Sequence, residues 1–390
     1  MGKNERYAYL KAIKDRYREA DRESKTAILD EFCEVCGYNR KYAIRLLNRK
    51  RRRGPKERPG RKPMYGEPPL LRALKQIWLA CDQMCSKKLV AAMPLWLPFY
   101  EQAHEELSPA VTHKLLSISA ATIDRLLLPT RFRSRRKGLG GTKPGRLLRN
   151  QIPIRTDNWD ISGPGFMEAD TVAHCGNSLL GDFVWSLTLT DIHSGWTESR
   201  ATWNNGAHGV IERIKDIEKG LAFPLKGFDC DNGSEFLNHH LLRYFAGRSP
   251  KVKFTRSRPY RKNDNAHVEQ KNWSFVRQLL GYDRLDNPHL VELINGLYSN
   301  EWSRYQNHFC PTFKLLEKKR SGSRYKKKYE YPQTPYQRLL NSTHIAQEKK
   351  IQLEACHQDL NPFILKRKIE EKLKGIFKLI KVTTNVRQRI

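Results

Sequence analysis

The sequence lacks any long apolar segment. No run of eighteen apolar residues occurs, and the first ten residues, MGKNERYAYL, contain no apolar signal core. No membrane partner is therefore expected, and the pattern predicts a cytoplasmic protein. Only 39% of the 390 residues are hydrophobic, and the mean hydropathy of −0.70 is low for one compact globule. These values predict several domains joined by polar linkers.

Acidic residues are also scarce. There are 41 Asp and Glu against 72 Lys and Arg, and the formal net charge is +31. Such an imbalance favours a polyanionic partner, most often nucleic acid, over the alternative of a basic protein without one. Clustering supports the first interpretation, since Arg131–Arg149 contains no acid and Arg40–Lys62 contains only Glu57. A nucleoid-associated protein is expected.

The eight cysteines are scattered and form no dense disulfide framework, so free thiols are expected. Cys33-x-x-Cys36 has a spacing found in zinc sites. However, Cys36 continues an apolar stripe with Ile28 and Phe32 at i, i+4 and i+8, which favours packing in a helical core.

Periodicity and composition divide the chain into six predicted segments. The first three are a helix-turn-helix DNA-binding domain at 1–53, a basic linker at 54–67 and a second helical DNA-binding domain at 68–130. The others are a basic linker at 131–158, an α/β core at 159–305 and a basic C-terminal DNA-binding or multimerisation region at 306–390.

The helix-turn-helix is predicted within AILDEFCEVCGYNRKYAIRLLNR (27–49). We expect Thr26 to cap its first helix, Val35 to lie on the buried face and Gly37 to end the helix. Asn39 is expected to cap the second helix.

Basic side chains on these segments are predicted to contact DNA, although a solvated charged face or spacer would look similar. Lys41, Arg45 and Arg49 lie four apart on one stripe of the second helix, as on a recognition helix. The RPGRKP linker is suited to tracking a minor groove. The further predicted contacts are Arg51, Arg52, Arg53, Arg61, Lys62 and, on the second helical domain, Arg125.

From about residue 160 strands and helices alternate. Three strands are predicted first, and then helices alternate with strands, which indicates a mixed sheet with helices on its faces. The three strands are GFMEADTVAH, FVWSLTLTDIHSGW and WTESRATW.

Acids recur at the ends of these strands. In FDCDNGSEF (228–236), Asp229 and Asp231 alternate with apolar residues, so both are expected on one face. A hairpin turn is an alternative, because Asn-Gly follows. Asp170 also ends an apolar strand segment, and Glu269 lies in the first turn of a predicted helix. Three converging carboxylates repel one another unless a divalent cation such as Mg²⁺ or Mn²⁺ neutralises them.

Three motifs carry a family resemblance. EADT (168–171), DNGSEF (231–236) and NAHVEQKN (265–272) resemble the catalytic core of retroviral integrases and of DDE transposases of bacterial insertion sequences. The second and third acids are 38 positions apart (269 − 231), and the first and second are 61 apart (231 − 170), both compatible with that family. The resemblance spans about residues 160–310 and includes LYSNEWSRYQNHFCPTFKLL (297–316).

The resemblance implies an RNase H-like core in which Asp170, Asp231 and Glu269 are catalytic and hold two Mg²⁺ or Mn²⁺ ions. Asp229 is a rival to Asp231, whereas Glu168 and Asp182 are interpreted as surface residues. The implied reaction is cleavage at transposon DNA ends followed by transfer of the 3′-OH into target DNA. A metal nuclease without strand transfer and a DNA-binding regulator with an inert core remain alternatives.

Partners follow from the same resemblance: double-stranded DNA at transposon ends and target, and a dimer or higher multimer on DNA. Whether a helper ATPase takes part is open. The family often presents lysines one and two turns beyond the catalytic glutamate, where this chain has Trp273 and Val276. Lys271, Asn272 and Arg277 are predicted to make those DNA contacts instead.

Two further segments lie near the C-terminus. EKKRSGSRYKKKYEY (317–331) is suited to phosphate contact with occasional stacking, and a disordered basic tail is the alternative. NPFILKRKIEEKLKGIFKLI (361–380) predicts an amphipathic helix that packs on a partner subunit.

Overall fold

The computed structural model describes most of the chain in two compact units, Met1–Pro63 and Met64–Ile390. The described residues are 2–48, 64–133, 162–204, 206–230, 236, 239–256, 268, 271–322 and 324–387.

The first unit contains three helices, α1 (Lys3–Glu19), α2 (Arg22–Cys36) and α3 (Arg40–Leu47). Their apolar stripes meet in one small core, as the helical spacing predicts. The buried members of that core are Ile13, Tyr17, Ile28, Leu29, Phe32, Cys36, Ala43 and Leu47.

Helix ends in this unit follow local capping chemistry. Gly37 ends α2 in the left-handed conformation with φ 64°, and the Asn39 side chain caps α3, both as predicted. The expected Thr26 cap is wrong, because Asp21 caps α2 and the Thr26 hydroxyl donates to a carbonyl inside the helix. Val35 is 45% exposed, so its predicted burial is also wrong.

The second unit begins with four helices. They are α4 (Pro68–Ala80), α5 (Ser86–Ala103), α6 (Pro109–Ser117) and α7 (Ala120–Arg133). Ser119 precedes α7, and its hydroxyl accepts the backbone N–H of Thr122 at 3.2 Å.

A five-stranded mixed sheet with two connecting helices follows. Its elements are β1 (Phe166–Ala173), β2 (Val184–Asp191), β3 (Thr197–Trp203), α8 (Ala207–Gly220), β4 (Gly227–Cys230), α9 (His239–Ala246) and β5 (Lys253–Arg256). The strand order is β3-β2-β1-β4-β5. β2 is antiparallel to β1 and β3, whereas β4 is parallel to β1 and β5. Helices α8 and α9 connect β3 to β4 and β4 to β5, an arrangement consistent with an RNase H-like core.

Two helices with π-helical segments cover the sheet. Helix α10 has the π segment Asn272–Arg277 and continues through Gln278–Leu280. Helix α11 runs from His289–Leu297 through the π segment Tyr298–Trp302 to Ser303–Phe309.

The C-terminal part contains a hairpin and three helices. The hairpin comprises β6 (Leu315–Ser321) and β7 (Arg324–Tyr329), so the alternative of a disordered basic tail is wrong. The helices are α12 (Pro335–Asn341), α13 (Gln347–Gln358) and α14 (Pro362–Arg387).

Separate hydrophobic clusters cover the two faces of the sheet. Met167, Ala169 and Phe228 face a cluster shared with α8, α9 and α12. The other cluster contains Val172 and Val184 and joins α4–α7 with α10, α11 and α14. The second helical segment thus shares a core with the α/β segment, while the predicted boundary between them stays a prediction.

The apolar face of α14 packs within the same chain. Leu365, Ile369, Ile376 and Ile380 belong to the cluster that also contains α5 and α11. The expectation that this face covers a partner subunit is therefore wrong. None of the described helices combines the length and apolar character needed to cross a bilayer.

Candidate active site

Strand β1 presents two acids on one face of the sheet. Met167 and Ala169 point into the core, so the alternating Glu168 and Asp170 point to the face covered by α10. Glu168 is only 1% exposed, and its interpretation as a surface residue is wrong. Burying a carboxylate without hydrogen-bond donors costs free energy, so the donor that Glu168 contacts indicates what this side chain does.

Glu168 anchors the chain segment that leads into α10. Its Oε2 accepts the backbone N–H of Val268 at 3.0 Å, and Val268 is itself fully buried. The residue that follows Val268 in the sequence is Glu269. The sequence offered one signal for this contact, the i, i+2 spacing of two acids on a strand with an otherwise apolar pattern.

Asp170 is held from two sides. Its Oδ1 accepts the N–H of Thr171 at 2.8 Å, and its Oδ2 accepts the side-chain Nδ2–H of Asn272 at 2.7 Å. Asn272 is only 7% exposed, and its Oδ1 has no hydrogen-bond partner within the described part of the chain. The amide that was predicted to contact DNA therefore lies against the candidate catalytic carboxylate.

The π segment of α10 decides which side chains face β1. Asn272 and Arg277 are five residues apart, one turn of a π-helix, and Arg277 donates to the carbonyl of Ala173 at 2.9 Å. In an ordinary α-helix, Val276 would take the place of Arg277. Val276 is instead buried in the helical core, and Trp273 is 53% exposed. π segments are rare and frequently occur at functional sites.

Lys271 points toward the turn between β2 and β3. Its Nζ lies 3.4 Å from the carbonyl oxygen of Gly195 and 4.6 Å from the centre of the Phe275 ring. Burial, with the nearby charges of Lys88 and Arg338, lowers the pKa of Lys271 to about 7. Removing a charged amine from water favours its neutral form.

The next strand brings the second acidic segment to β1. In the parallel register Glu168 pairs with Asp229 and Ala169 pairs with Cys230. Asp229 accepts a hydrogen bond from the Thr255 hydroxyl at 2.6 Å. The described ladder therefore ends at the residues directly preceding Asp170 and Asp231.

Asp231 and Glu269 lie outside the described residues, so their catalytic assignment stays a prediction. Accordingly, among the described residues no group of three His, Cys, Asp or Glu side chains is placed to hold a metal. The nearest described neighbours of both acids, Cys230 and Val268, each contact the Glu168–Asp170 stretch of β1.

Asp191 has a structural role at the end of β2. It accepts backbone N–H groups from Gly165 and Ser194 and the Ser194 hydroxyl at 2.6–2.8 Å. Burial raises the pKa of this carboxyl. These bonds close the turn between β2 and β3.

A buried polar chain lies behind the site. His174 Nε2 is 2.8 Å from the Ser186 hydroxyl, which is 2.9 Å from the Tyr298 hydroxyl. Burial lowers the pKa of His174 to about 3, so the ring stays neutral in the folded protein. No residue pattern in the sequence indicated that these three side chains are linked.

The other predicted DNA contacts divide into two groups. Lys41, Arg45 and Arg125 are exposed, and the Arg45 guanidinium stacks 5.0 Å from the Tyr42 ring. Their DNA contacts stay predictions. Outside the described residues are Arg49, Arg51, Arg52, Arg53, Arg61 and Lys62.

Comparison with known proteins identifies a relative. No protein-family model matches the chain. Over 336 residues it is 40% identical to a Sinorhizobium fredii (strain NBRC 101917 / NGR234) protein described as "Uncharacterized protein y4rM", an alignment that covers 84% of this chain and 93% of the relative. The chain belongs to the y4rM family. Because the relative's description states no activity, the family does not by itself assign one.

Two solved structures show a distant likeness to this y4rM-family chain. The catalytic core domain of BIV integrase has a TM-score of 0.31 at 19% identity, covering 47% of this chain and 97% of that domain. The HTLV-2 integrase catalytic core domain in complex with magnesium (dimeric form) has a TM-score of 0.28 at 16% identity, covering 38% and 90%. TM-scores this low carry no argument about the fold, so the description of the α/β core rests on its own strand order and register.

Proposed function

We propose that the chain is a DDE transposase that cleaves DNA at transposon ends and transfers the resulting 3′-OH into target DNA. One observation carries the proposal: residues that are close in sequence to Asp231 and to Glu269 both contact the stretch of β1 that ends at Asp170. Cys230, before Asp231, is paired with Ala169, before Asp170. Val268 and Asn272, which flank Glu269 in the sequence, are bonded to Glu168 and Asp170.

The donor set fits a hard divalent cation. Asp170 supplies carboxylate oxygen on a partly exposed strand position, and Asp231 and Glu269 would add two further carboxylates. The buried Asn272 Oδ1, unpaired among the described residues, adds a neutral oxygen beside Asp170. These residues would hold Mg²⁺ or Mn²⁺, two ions per site. When bound there, such ions would supply activation of an attacking oxygen and stabilisation of the leaving oxygen in an in-line displacement.

The chain's own residues position these carboxylates. Asn272 donates to Asp170 Oδ2, which fixes the rotation of the carboxyl group, while Thr171 N–H holds the other oxygen. Glu168 fixes the backbone one residue before Glu269. Preorganised ligands of this kind lower the cost of bringing like charges together.

The net charge of +31 is suited to a reaction in which both substrates are polyanions. The exposed Lys41 and Arg45 on α3 are proposed to bind transposon ends, together with the basic linkers. Joining two DNA ends needs at least two active sites, so a dimer or higher multimer on DNA is proposed.

The test separates catalysis from binding. Asp170→Asn keeps the size of the side chain but removes its charge, so Mg²⁺-dependent cutting of a transposon-end duplex should be lost while DNA affinity is retained. Asp182→Asn, an exposed acid in the same unit, is the matched control and should cut normally. Cutting by the Asp170→Asn protein at the wild-type rate would refute the proposal.

A second assay distinguishes a transposase from a nuclease of the same fold. A duplex already cut to expose the 3′-OH is incubated with plasmid DNA and Mg²⁺. Covalent joining supports strand transfer. Hydrolysis without joining would replace the proposal with a metal nuclease, and DNA binding with neither reaction would replace it with a regulator.

A further inference from the structure

The hairpin β6–β7 is strongly basic. Across residues 315–329 there are seven Lys or Arg and one acid, Glu317. Within the described part of the chain its two strands pair only with each other, as a separate two-stranded sheet. An isolated two-stranded ribbon is only marginally stable in water.

The register of the hairpin places like charges opposite one another. Lys319 pairs with Lys326, and the backbone of Lys318 pairs with that of Lys327. Directly opposed like charges destabilise an antiparallel pair, and each good cross-strand pair is worth only about 0.2–1 kcal/mol. A ribbon with this pattern is better suited to a polyanion than to water alone.

The hairpin side chains are open to such a partner. The Lys319 side chain is 73% exposed, and Lys326 and Lys328 are also exposed. Tyr325 and Tyr329 are 46% and 47% exposed on the same strand. Cationic and aromatic side chains together favour nucleic acid as the partner.

The base of the hairpin is tied to the turn that Lys271 contacts. Lys314, which precedes β6, donates to the carbonyl of His193 at 2.8 Å. Arg338, on α12, donates to the carbonyl of Ser194 at 3.0 Å and to Glu330, which follows β7, at 2.6 Å. Lys271, on the α10 side, lies 3.4 Å from the carbonyl of Gly195. Three consecutive carbonyls therefore connect the hairpin base to the segment that carries the candidate active site.

We propose that the hairpin is a β-ribbon that enters the major groove of double-stranded DNA beside the active site. Two strands about 4.8 Å apart, with seven residues in β6 and six in β7 and therefore about 20–24 Å long, match a major groove about 12 Å wide. The proposal rests on the proposed function in one respect, that duplex DNA is the substrate. It adds the element that holds the duplex and the groove it occupies.

The experiment compares two charge-matched variants of the full chain. One combines Lys319→Gln, Lys326→Gln and Lys328→Gln on the hairpin. The control combines Lys368→Gln, Lys374→Gln and Lys378→Gln at exposed positions of α14. Fluorescence anisotropy with a labelled duplex over a range of salt concentrations gives the slope of log K against log[salt]. The three hairpin substitutions should reduce the magnitude of that negative slope by about three, one per lysine, and the control substitutions should leave it unchanged.

Two further readouts test the groove. Dimethyl sulfate modifies guanine N7 in the major groove, so wild-type protein should protect a set of guanines of which the hairpin variant leaves some unprotected. A duplex with 5-iodouracil in place of thymine, whose halogen lies in the major groove, should crosslink wild-type protein within residues 315–331. This second readout needs no substitution, so it holds even where the triple variant does not fold.

Several results would overturn the inference. These are an unchanged salt slope for the hairpin variant, unaltered guanine protection, the absence of a crosslink within residues 315–331, or an equal loss of affinity for single-stranded DNA. Asp170→Asn is assayed in parallel for cutting. An active Asp170→Asn protein refutes the transposase proposal, whereas an inactive one with an unchanged hairpin result refutes only the hairpin.

Discussion

Two alanine substitutions on the contact between β1 and α10 should have opposite consequences for stability and function. Glu168→Ala removes the buried acceptor of the Val268 N–H, and Asn272→Ala removes the donor to Asp170. Both sites lie in the same contact, where the Val268–Glu168 hydrogen bond is 3.0 Å long and the Asn272–Asp170 hydrogen bond is 2.7 Å long. We expect Glu168→Ala to be the much more destabilising change, although Asn272 lies closer to the candidate catalytic carboxylate.

The magnitudes follow from what each change leaves behind. Glu168→Ala leaves the buried Val268 N–H without its acceptor, which costs about 1.5–3 kcal/mol, and removes one buried methylene at about 0.8 kcal/mol. The sum is about 2–4 kcal/mol. Asn272→Ala loses a bond of similar strength but also removes a buried carbonyl with no described partner, which returns about 1–3 kcal/mol. Its net effect should lie within about 1.5 kcal/mol of zero.

Tryptophan fluorescence during urea unfolding measures this difference in the intact chain. All eight tryptophans follow residue 63, so the signal reports only on the Met64–Ile390 unit. Linear extrapolation of the transition gives the free energy of unfolding. Gln278→Ala, an exposed change on the same helix, is the control and should shift that free energy by less than about 0.5 kcal/mol.

In contrast to its small effect on stability, Asn272→Ala should have a large effect on the Mg²⁺ requirement of the cutting reaction. Freed of its donor, Asp170 is less well oriented, so Asn272→Ala should raise the Mg²⁺ concentration needed for half-maximal cutting by about 10–100-fold. Equal destabilisation by the two alanine variants would refute the reasoning, because it would mean that the Asn272 carbonyl does have a stabilising partner.

Three further outcomes are expected. Burial lowers the pKa of His174 and of His308 to about 3, whereas both side chains bind a proton below pH about 6.5 in the unfolded chain. The free energy of unfolding should therefore fall as the pH drops from about 6.5 toward 3, by about 4 kcal/mol at pH 5 for the pair. Urea titration at each pH should show a shallower pH dependence for His308→Asn than for the wild-type protein. Arg338→Met leaves its carbonyl and carboxylate partners without a donor and should lower the free energy of unfolding by about 3 kcal/mol or more, whereas an unchanged urea midpoint would show that this buried cation stabilises nothing. Lys41→Gln and Arg45→Gln are exposed changes that should each lower the salt slope of transposon-end binding by about one without changing thermal stability, and slopes equal to the wild-type value would exclude α3 from the DNA interface.

The elements with regular apolar spacing were predictable from the sequence. The stripe Val210, Ile211, Ile214 and Ile217 predicts α8, and all four side chains are buried in one cluster. The alternation around Asp170 and Asp229 predicts strands β1 and β4, and the register confirms that they are neighbours. Both patterns depend only on local periodicity, which the chain keeps when it folds.

The contacts at the site were not predictable in the same way. The burial of Glu168 depends on Val268, which lies 100 residues later in the sequence, and no local rule joins them. Thr26 failed as a cap because Asp21, an equally good capping residue, precedes it. Such outcomes depend on tertiary packing or on competition between similar local signals.

The π segment of α10 links the local sequence pattern with the tertiary contacts at the site. The sequence has Trp273 and Val276 at the positions one and two turns beyond Glu269, where the integrase-type pattern that it resembles often has lysines. One π turn changes that alignment and brings Asn272 and Arg277 to β1 instead. The π segment and the contacts of Asn272 and Arg277 with β1 therefore belong to one feature of α10, which the resemblance of the sequence to integrase-type cores did not predict.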